Sequence, residues 1–199
     1  MVAPALAATT GAAPIACRSL DQLGATHMFD YNDSAYASNL KLVESYHFNS
    51  GVRSLSKGQS STVPGDLDFV LRAVPNHYEA LSAMGRWQLL NGSPRSGTVR
   101  YEPADCYFQR ASAFRPSDPR VHLVYGIYLH QAKRLLEAGQ QYTQAEAMGW
   151  DDAELYYNFG LLLVDTGDIP RARRYAEKAY ALGYPLPGLK NKLSKYPDR

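Results

Sequence analysis

No run of eighteen or more apolar residues occurs in this chain, so no segment has the length and character to cross a bilayer as a helix. Charge of one sign is also missing. The 21 Lys and Arg stand against 19 Asp and Glu, a net of +2 over 199 residues, too weak a field to gather nucleic acid or another polyanion. A partner must therefore be recognised by shape and local chemistry. His27, His47, His77, His122 and His130 share no metal-ligand spacing with one another or with Cys17 and Cys106. Asp30-Tyr31-Asn32-Asp33-Ser34 offers oxygen ligands but lacks the glycine and the distal Glu of a calcium loop. A Gly-rich phosphate loop, a nucleophile elbow and a catalytic carboxylate pair are all absent from the sequence. These absences exclude the common enzyme signatures and lead to the expectation of a non-enzymatic protein with neither metal nor cofactor.

What the chain does have is tyrosine and a period. Fifteen Tyr stand against six Phe and two Trp, and Tyr combines a large contact area with a polar tip. That serves a recognition surface and equally fills space between helices. Tyr125-Gly126, Leu129, Leu135, Ala138 and Ala145 recur 34 residues later as Phe159-Gly160, Leu163, Ile169, Ala172 and Ala179. A period of this length is that of stacked helical hairpins, each too small to bury its apolar face without neighbours. In the last repeat, from Ala153 to about Leu186, Tyr156, Phe159, Gly160 and Leu163 share one helix face. Asp165-Thr166-Gly167-Asp168 makes the turn, and Pro170 opens the second helix, where its missing N–H costs nothing. The middle repeat, Pro119 to Trp150, follows the same plan, but its turn Gln131-Ala132-Lys133-Arg134 has no glycine.

An earlier repeat begins near Tyr78 with Leu81, Met84 and Gly85 and continues through Ala104, Phe108 and Ala111. Its Gly85-to-Ala104 spacing of nineteen, against twelve in the later repeats, marks a seven-residue insertion, placed in the polar stretch Asn91 to Thr98. Asp66 to Val74 reads as the second helix of a degenerate repeat, with Asn49 to Lys57 as its partial first helix. Pro187 to Tyr196 reads as a short cap, with Leu189 and Leu193 one turn apart.

These Gly, Ala and aromatic positions resemble the tetratricopeptide repeat over Asp66 to Tyr196. The resemblance implies an all-α, right-handed α-solenoid of helix hairpins with an irregular N-terminal segment and a C-terminal capping helix. It also implies a concave groove, lined by the first helix of each repeat, that takes an extended peptide or a partner helix. By register that groove shows Glu79, Ser82 and Arg86, then Arg120, Leu123, Ile127 and His130, then Glu154, Tyr157, Asn158 and Leu161. The partner-binding set expected from it is Arg86, Arg120, Leu123, Ile127, His130, Tyr157, Asn158 and Leu161. Some relatives clamp a terminal carboxylate with paired Lys and Asn; Asn158 fits that pattern, whereas Ser82 stands where the first Lys is expected.

Three segments result: an Ala-rich leader remnant over 1–16, an irregular segment with a short helix over 17–65, and the array with its cap over 66–199. Residues 18–48 carry Phe29, Tyr31, Tyr36, Tyr46 and Phe48, too aromatic for a disordered tail, and are expected to pack on the array, either over the groove or elsewhere. On its helix Cys106 lies about 200° from Ala104 at roughly 100° per residue, facing away from the repeat core. Either it pairs with Cys17, pinning the N-terminal segment to the convex side of an exported protein, or both thiols stay free in a reducing compartment. The small-residue leader favours export, and the sequence is similar to small exported bacterial repeat proteins; a periplasmic or secreted location is expected, with a cytoplasmic protein bearing a flexible tail as the alternative. The expected function is a protein-interaction scaffold or assembly factor for a bacterial envelope or secretion machine. The alternative is an accessory subunit of an enzyme or transport complex whose N-terminal segment covers the groove.

Overall fold

The computed structural model describes residues 17–24, 27–92 and 101–196; the Ala-rich leader and nearly all of the polar insertion lie outside the described residues. Ten α-helices and no strand occur among the described residues: α1 Ala37–His47, α2 Ser50–Arg53, α3 Val63–Ala73, α4 Tyr78–Asn91, α5 Ala104–Phe114, α6 Pro119–Gln131, α7 Leu135–Ala147, α8 Ala153–Asp165, α9 Ile169–Ala181 and α10 Gly188–Leu193. The pairs α6/α7 and α8/α9 pack most extensively, α4 leans on both α3 and α6, and α10 packs on α8 and α9.

Local chemistry sets the ends of these helices. Asp118 accepts from the Arg120 amide ahead of α6, Asp152 from the Glu154 and Leu155 amides ahead of α8, and Asp168 from the Arg171 amide ahead of α9, each satisfying amides that the helix leaves unpaired. The α8/α9 turn takes its left-handed residue at Gly167 (φ 85°), and the α6/α7 turn places Lys133 there with φ 62°. The turn geometry is thus kept where the sequence lacks its glycine. Within the α6/α7 hairpin a Cβ on Gly126 would lie 2.5 Å from the Tyr142 ring, and where α10 meets α8 one on Gly160 would lie 2.5 Å from the end of the Leu189 side chain. Only a residue without a side chain permits the ring's approach to Gly126. The core is continuous from Phe48 to Leu193, with Phe108 stacked on Tyr125 at 4.5 Å and Tyr142 tilted against Phe159 at 5.4 Å.

The N-terminal segment is more ordered than its sequence indicates. α1 is an eleven-residue helix in a stretch read as irregular, and α3 starts at Val63, ahead of the expected Asp66. No residue of α1 is buried, so it carries little apolar periodicity; it is held by polar contacts and by Phe48 just beyond it, which is buried. α3 starts early because the Thr62 hydroxyl accepts from the Gly65 amide and Pro64 occupies the first turn. The segment then crosses the corners between repeats. The Phe29 amide donates to the Ala73 carbonyl (2.8 Å), and Tyr31 packs on His77 and Tyr78. Buried Asn76 joins three pieces of chain: its side-chain oxygen accepts from the Tyr31 amide (3.0 Å), and its NH2 group donates to Asp30 (2.8 Å) and Asp118 (3.2 Å).

His77 is fully buried at the entry to α4. Burial holds its imidazole below the usual histidine pKa, against the opposing pull of Glu44. The neutral ring serves two partners, with Nε2 3.1 Å from Glu44 Oε1 and Nδ1 accepting from the Ala80 amide at 3.3 Å. Because the folded pKa is depressed, the unfolded chain takes up the proton first, and stability falls as pH drops below about 6.5. The carboxylates of Glu44, Asp66 and Glu102, all held low, add their loss only below about pH 4. Thermal melts at pH 7 and pH 5 are expected to differ by on the order of 1 kcal/mol, and His77→Asn, which keeps a capping side chain, is expected to flatten that step. An unchanged step in the variant would remove His77 as its source.

Candidate functional site

The first helices α4, α6 and α8 run side by side, α4 against α6 and α6 against α8, so the expected groove residues come from adjacent elements. Arg86 is exposed on α4, with one guanidinium nitrogen donating to the Arg53 carbonyl at 3.0 Å. Arg120 is exposed at the start of α6, its guanidinium 5.4 Å from the Tyr78 ring and 5.9 Å from the Trp150 ring. Ile127 and Leu161 are half-buried against the core, and half-buried Asn158 donates to the Glu154 carbonyl one turn back (2.9 Å).

Two of the expected contact residues are already covered. Leu123 is 3% exposed and Tyr157 is 7% exposed, so neither offers open surface to a partner. Tyr157 stacks on Tyr184 at 4.1 Å, and its hydroxyl lies 2.5 Å from where a Cβ on Gly188 would stand. The turn into α10 therefore closes over that end of the face, which sequence register alone did not reveal. The open set is Arg86, Arg120, Ile127, His130, Asn158 and Leu161.

Polar groups link the far ends of these helices. His130 Nε2 lies 3.0 Å from Asp165 Oδ2, whose other oxygen meets Lys192 at 2.5 Å. Burial would raise the Asp165 carboxyl, but Lys192 and His130 hold it below the ordinary aspartate value. Leu89 and Leu90 stand in register with His130 and Gln131, counted from Gly85 and Gly126, and are 39% and 78% exposed. Sequence reasoning passed over this pair, although counting four and five residues on from Gly85 finds it.

Residues 17–48 lie mainly away from this face. Their hydrogen bonds and ring contacts fall on residues between Arg53 and Tyr78 and on Glu102, Arg110, Arg115 and Asp118, while Arg53 of α2 reaches the α4 end of the face, pairing with Glu79 and accepting from Arg86 through its carbonyl. Cys17 and Cys106 form a disulfide with Cα atoms 5.2 Å apart. Cys106 faces away from the repeat core as expected, yet is only 1% exposed, because the strap lies over it. Beside the bridge, Arg18 pairs with Glu102 at 2.6 Å, and buried Arg110 pairs with the same carboxylate and donates to the Arg18 carbonyl at 3.2 Å. His122 is buried, with Nδ1 2.8 Å from Gln141. Among the described residues no group of His, Cys, Asp and Glu is arranged to hold a metal ion, and no helix is long and apolar enough to cross a membrane.

No family model and no curated relative matches this sequence. Among solved structures, a chain from the functional characterization of Pseudomonas aeruginosa PilF is similar, with a TM-score of 0.56 over 82% of this chain and 68% of that one, at 21% identity. At that identity the likeness speaks to the fold alone: this chain is an all-helical solenoid of tetratricopeptide-like hairpins.

Proposed function

We propose that this protein is a non-enzymatic interaction module of the tetratricopeptide type, which holds an extended peptide or a partner helix against α4, α6 and α8. The observation that carries this reading is the open face itself: Ile127 and Leu161 offer apolar surface between exposed Arg86 and Arg120, the mixture of apolar centre and charged rim that a protein partner recognises. An extracytoplasmic site of action is supported by the Cys17–Cys106 disulfide, since such bonds persist in oxidising compartments. The role that fits best is a scaffold or assembly factor for a bacterial envelope or secretion machine.

The test is capture of partners from the host's cell envelope after mild crosslinking, with wild type beside an Arg86→Glu, Arg120→Glu, Leu161→Asp variant. A specific partner reduced about tenfold or more in the variant, at unchanged far-UV circular dichroism, is expected. A partner captured equally by both forms would move the binding site off this face. In the second reading, the N-terminal segment is a plug whose removal frees the groove. Its contacts at the repeat corners and over α5 favour a clasp instead. Deleting residues 17–48 is accordingly expected to destabilise the array rather than to raise partner affinity.

A further inference from the structure

The terminal cleft between α9 and α10 repeats a seat that is filled earlier in the chain. In the last hairpin, Tyr175 of α9 packs on Phe159 at 4.7 Å and on Tyr156 at 5.8 Å, and its hydroxyl donates to Glu146 at 2.6 Å. One period earlier, Gln141 stands in register with Tyr175 and His122 with Tyr156, and these two are hydrogen-bonded. One period later, the positions of Glu146, Tyr156 and Phe159 become Tyr180, Lys190 and Leu193. All three line one cleft of about 890 Å³ between α9 and α10. The walls are those of a knob seat, and no second helix follows α10 among the described residues.

The charge around this seat is mainly positive, although Glu177 lines the cleft beside Arg173 and Lys190. From Ile169 to Tyr196 there are seven Lys and Arg against one Glu, a net of +6, while the whole chain carries +2. Arg171, Lys178 and Lys192 are matched by Asp168, Glu146 and Asp165. Arg174, Lys190 and Lys195 make no ion pair among the described residues, and Lys190 lies on the cleft itself.

We infer that this cleft docks an amphipathic helix of a partner protein, which places one large side chain in the seat formed by Tyr180, Lys190 and Leu193 and turns a flank of Asp or Glu towards the basic end of the array. The incoming helix takes the place that α9 takes against α8, and its acidic flank supplies the counter-charge that Lys190 lacks. A bilayer fits less well, because Tyr180, Lys190 and Leu193 line a concavity rather than a flat surface. The inference is independent of the face formed by α4, α6 and α8.

The probe is a fluorescent, stapled helical peptide with one central Tyr, Leu at helical spacing beside it and Glu on both flanks. Its controls carry Lys for Glu or Ala for Tyr. Titrations by anisotropy use wild type, Lys190→Glu and Ser194→Trp; Ser194 is exposed at the cleft edge, so Trp there obstructs the seat without entering the core. The Glu peptide is expected to bind wild type with an affinity that falls as salt rises, and to weaken about tenfold or more in each variant and with each control peptide. Similar binding of Glu and Lys peptides, indifference to Ser194→Trp, or no binding by the Glu peptide would overturn the proposal. Binding to phosphatidylserine vesicles that depends on Lys190, without peptide binding, would assign the basic end to a membrane surface instead.

Discussion

Replacing Cys17 with Ser is expected to lower the unfolding free energy by about 2–4 kcal/mol and the melting temperature by about 5–15 °C. The bridge closes a loop with a sequence separation of 89, for which chain entropy alone gives roughly 4–5 kcal/mol. The measured loss should be the smaller figure, because the strap keeps other anchors at Asn76 and Tyr31. A second effect acts locally. Arg110 is 4% exposed, and its Nε and Nη2 have no hydrogen-bond partner among the described residues; its compensation comes from Glu102, the Arg18 carbonyl and the Tyr107 ring face. Without the bridge the strap over Arg110 loosens and water reaches the guanidinium, which recovers part of the lost stability. Melts with and without a dithiol reductant check the prediction. Equal transitions under both conditions, with the bond shown to be reduced, would mean that the strap is held by its other contacts alone.

Tyr142→Ala and Tyr142→Phe should move stability in different ways. Tyr142 is fully buried between Gly126 and Phe159, and its hydroxyl has no hydrogen-bond partner among the described residues; burial pushes its phenol pKa far up. Truncation to Ala removes the ring that fills the notch over Gly126 and is expected to cost about 3–5 kcal/mol. Removing only the hydroxyl takes away a buried polar group that gains nothing, so Tyr142→Phe is expected to be neutral or stabilising by up to about 1 kcal/mol. Denaturant unfolding of the two variants decides the matter. A loss above about 1 kcal/mol for Phe would show that the hydroxyl is hydrogen-bonded in solution.

The hairpins from α6 onward were legible because their signals are local and repeated. The small residues Gly126, Gly160, Ala138 and Ala172 recur at the period, and Asp118, Asp152 and Asp168 mark helix starts within a turn of the residues they cap. Outward-facing Cys106 could be placed by helical angle, and the bridge to Cys17 followed as one of two readings. α1 was missed because a helix with no buried residue leaves no apolar stripe to read. The candidate face was legible only as a register. Counting could not tell that Tyr157 is capped by Tyr184, 27 residues further along the chain and outside α8.

The sequence by itself determined the unit of structure: a hairpin of fixed length, with small residues at its crossing and an Asp cap ahead of α6, α8 and α9, since each of these depends on residues within one period. Tertiary structure decided which surfaces stay open. The route of residues 17–48 over the repeat corners, the junction at Asn76 and the closure of Tyr157 by the turn into α10 join residues far apart in the chain. Burial of such positions depends on the sum of non-local contacts, which no local pattern encodes.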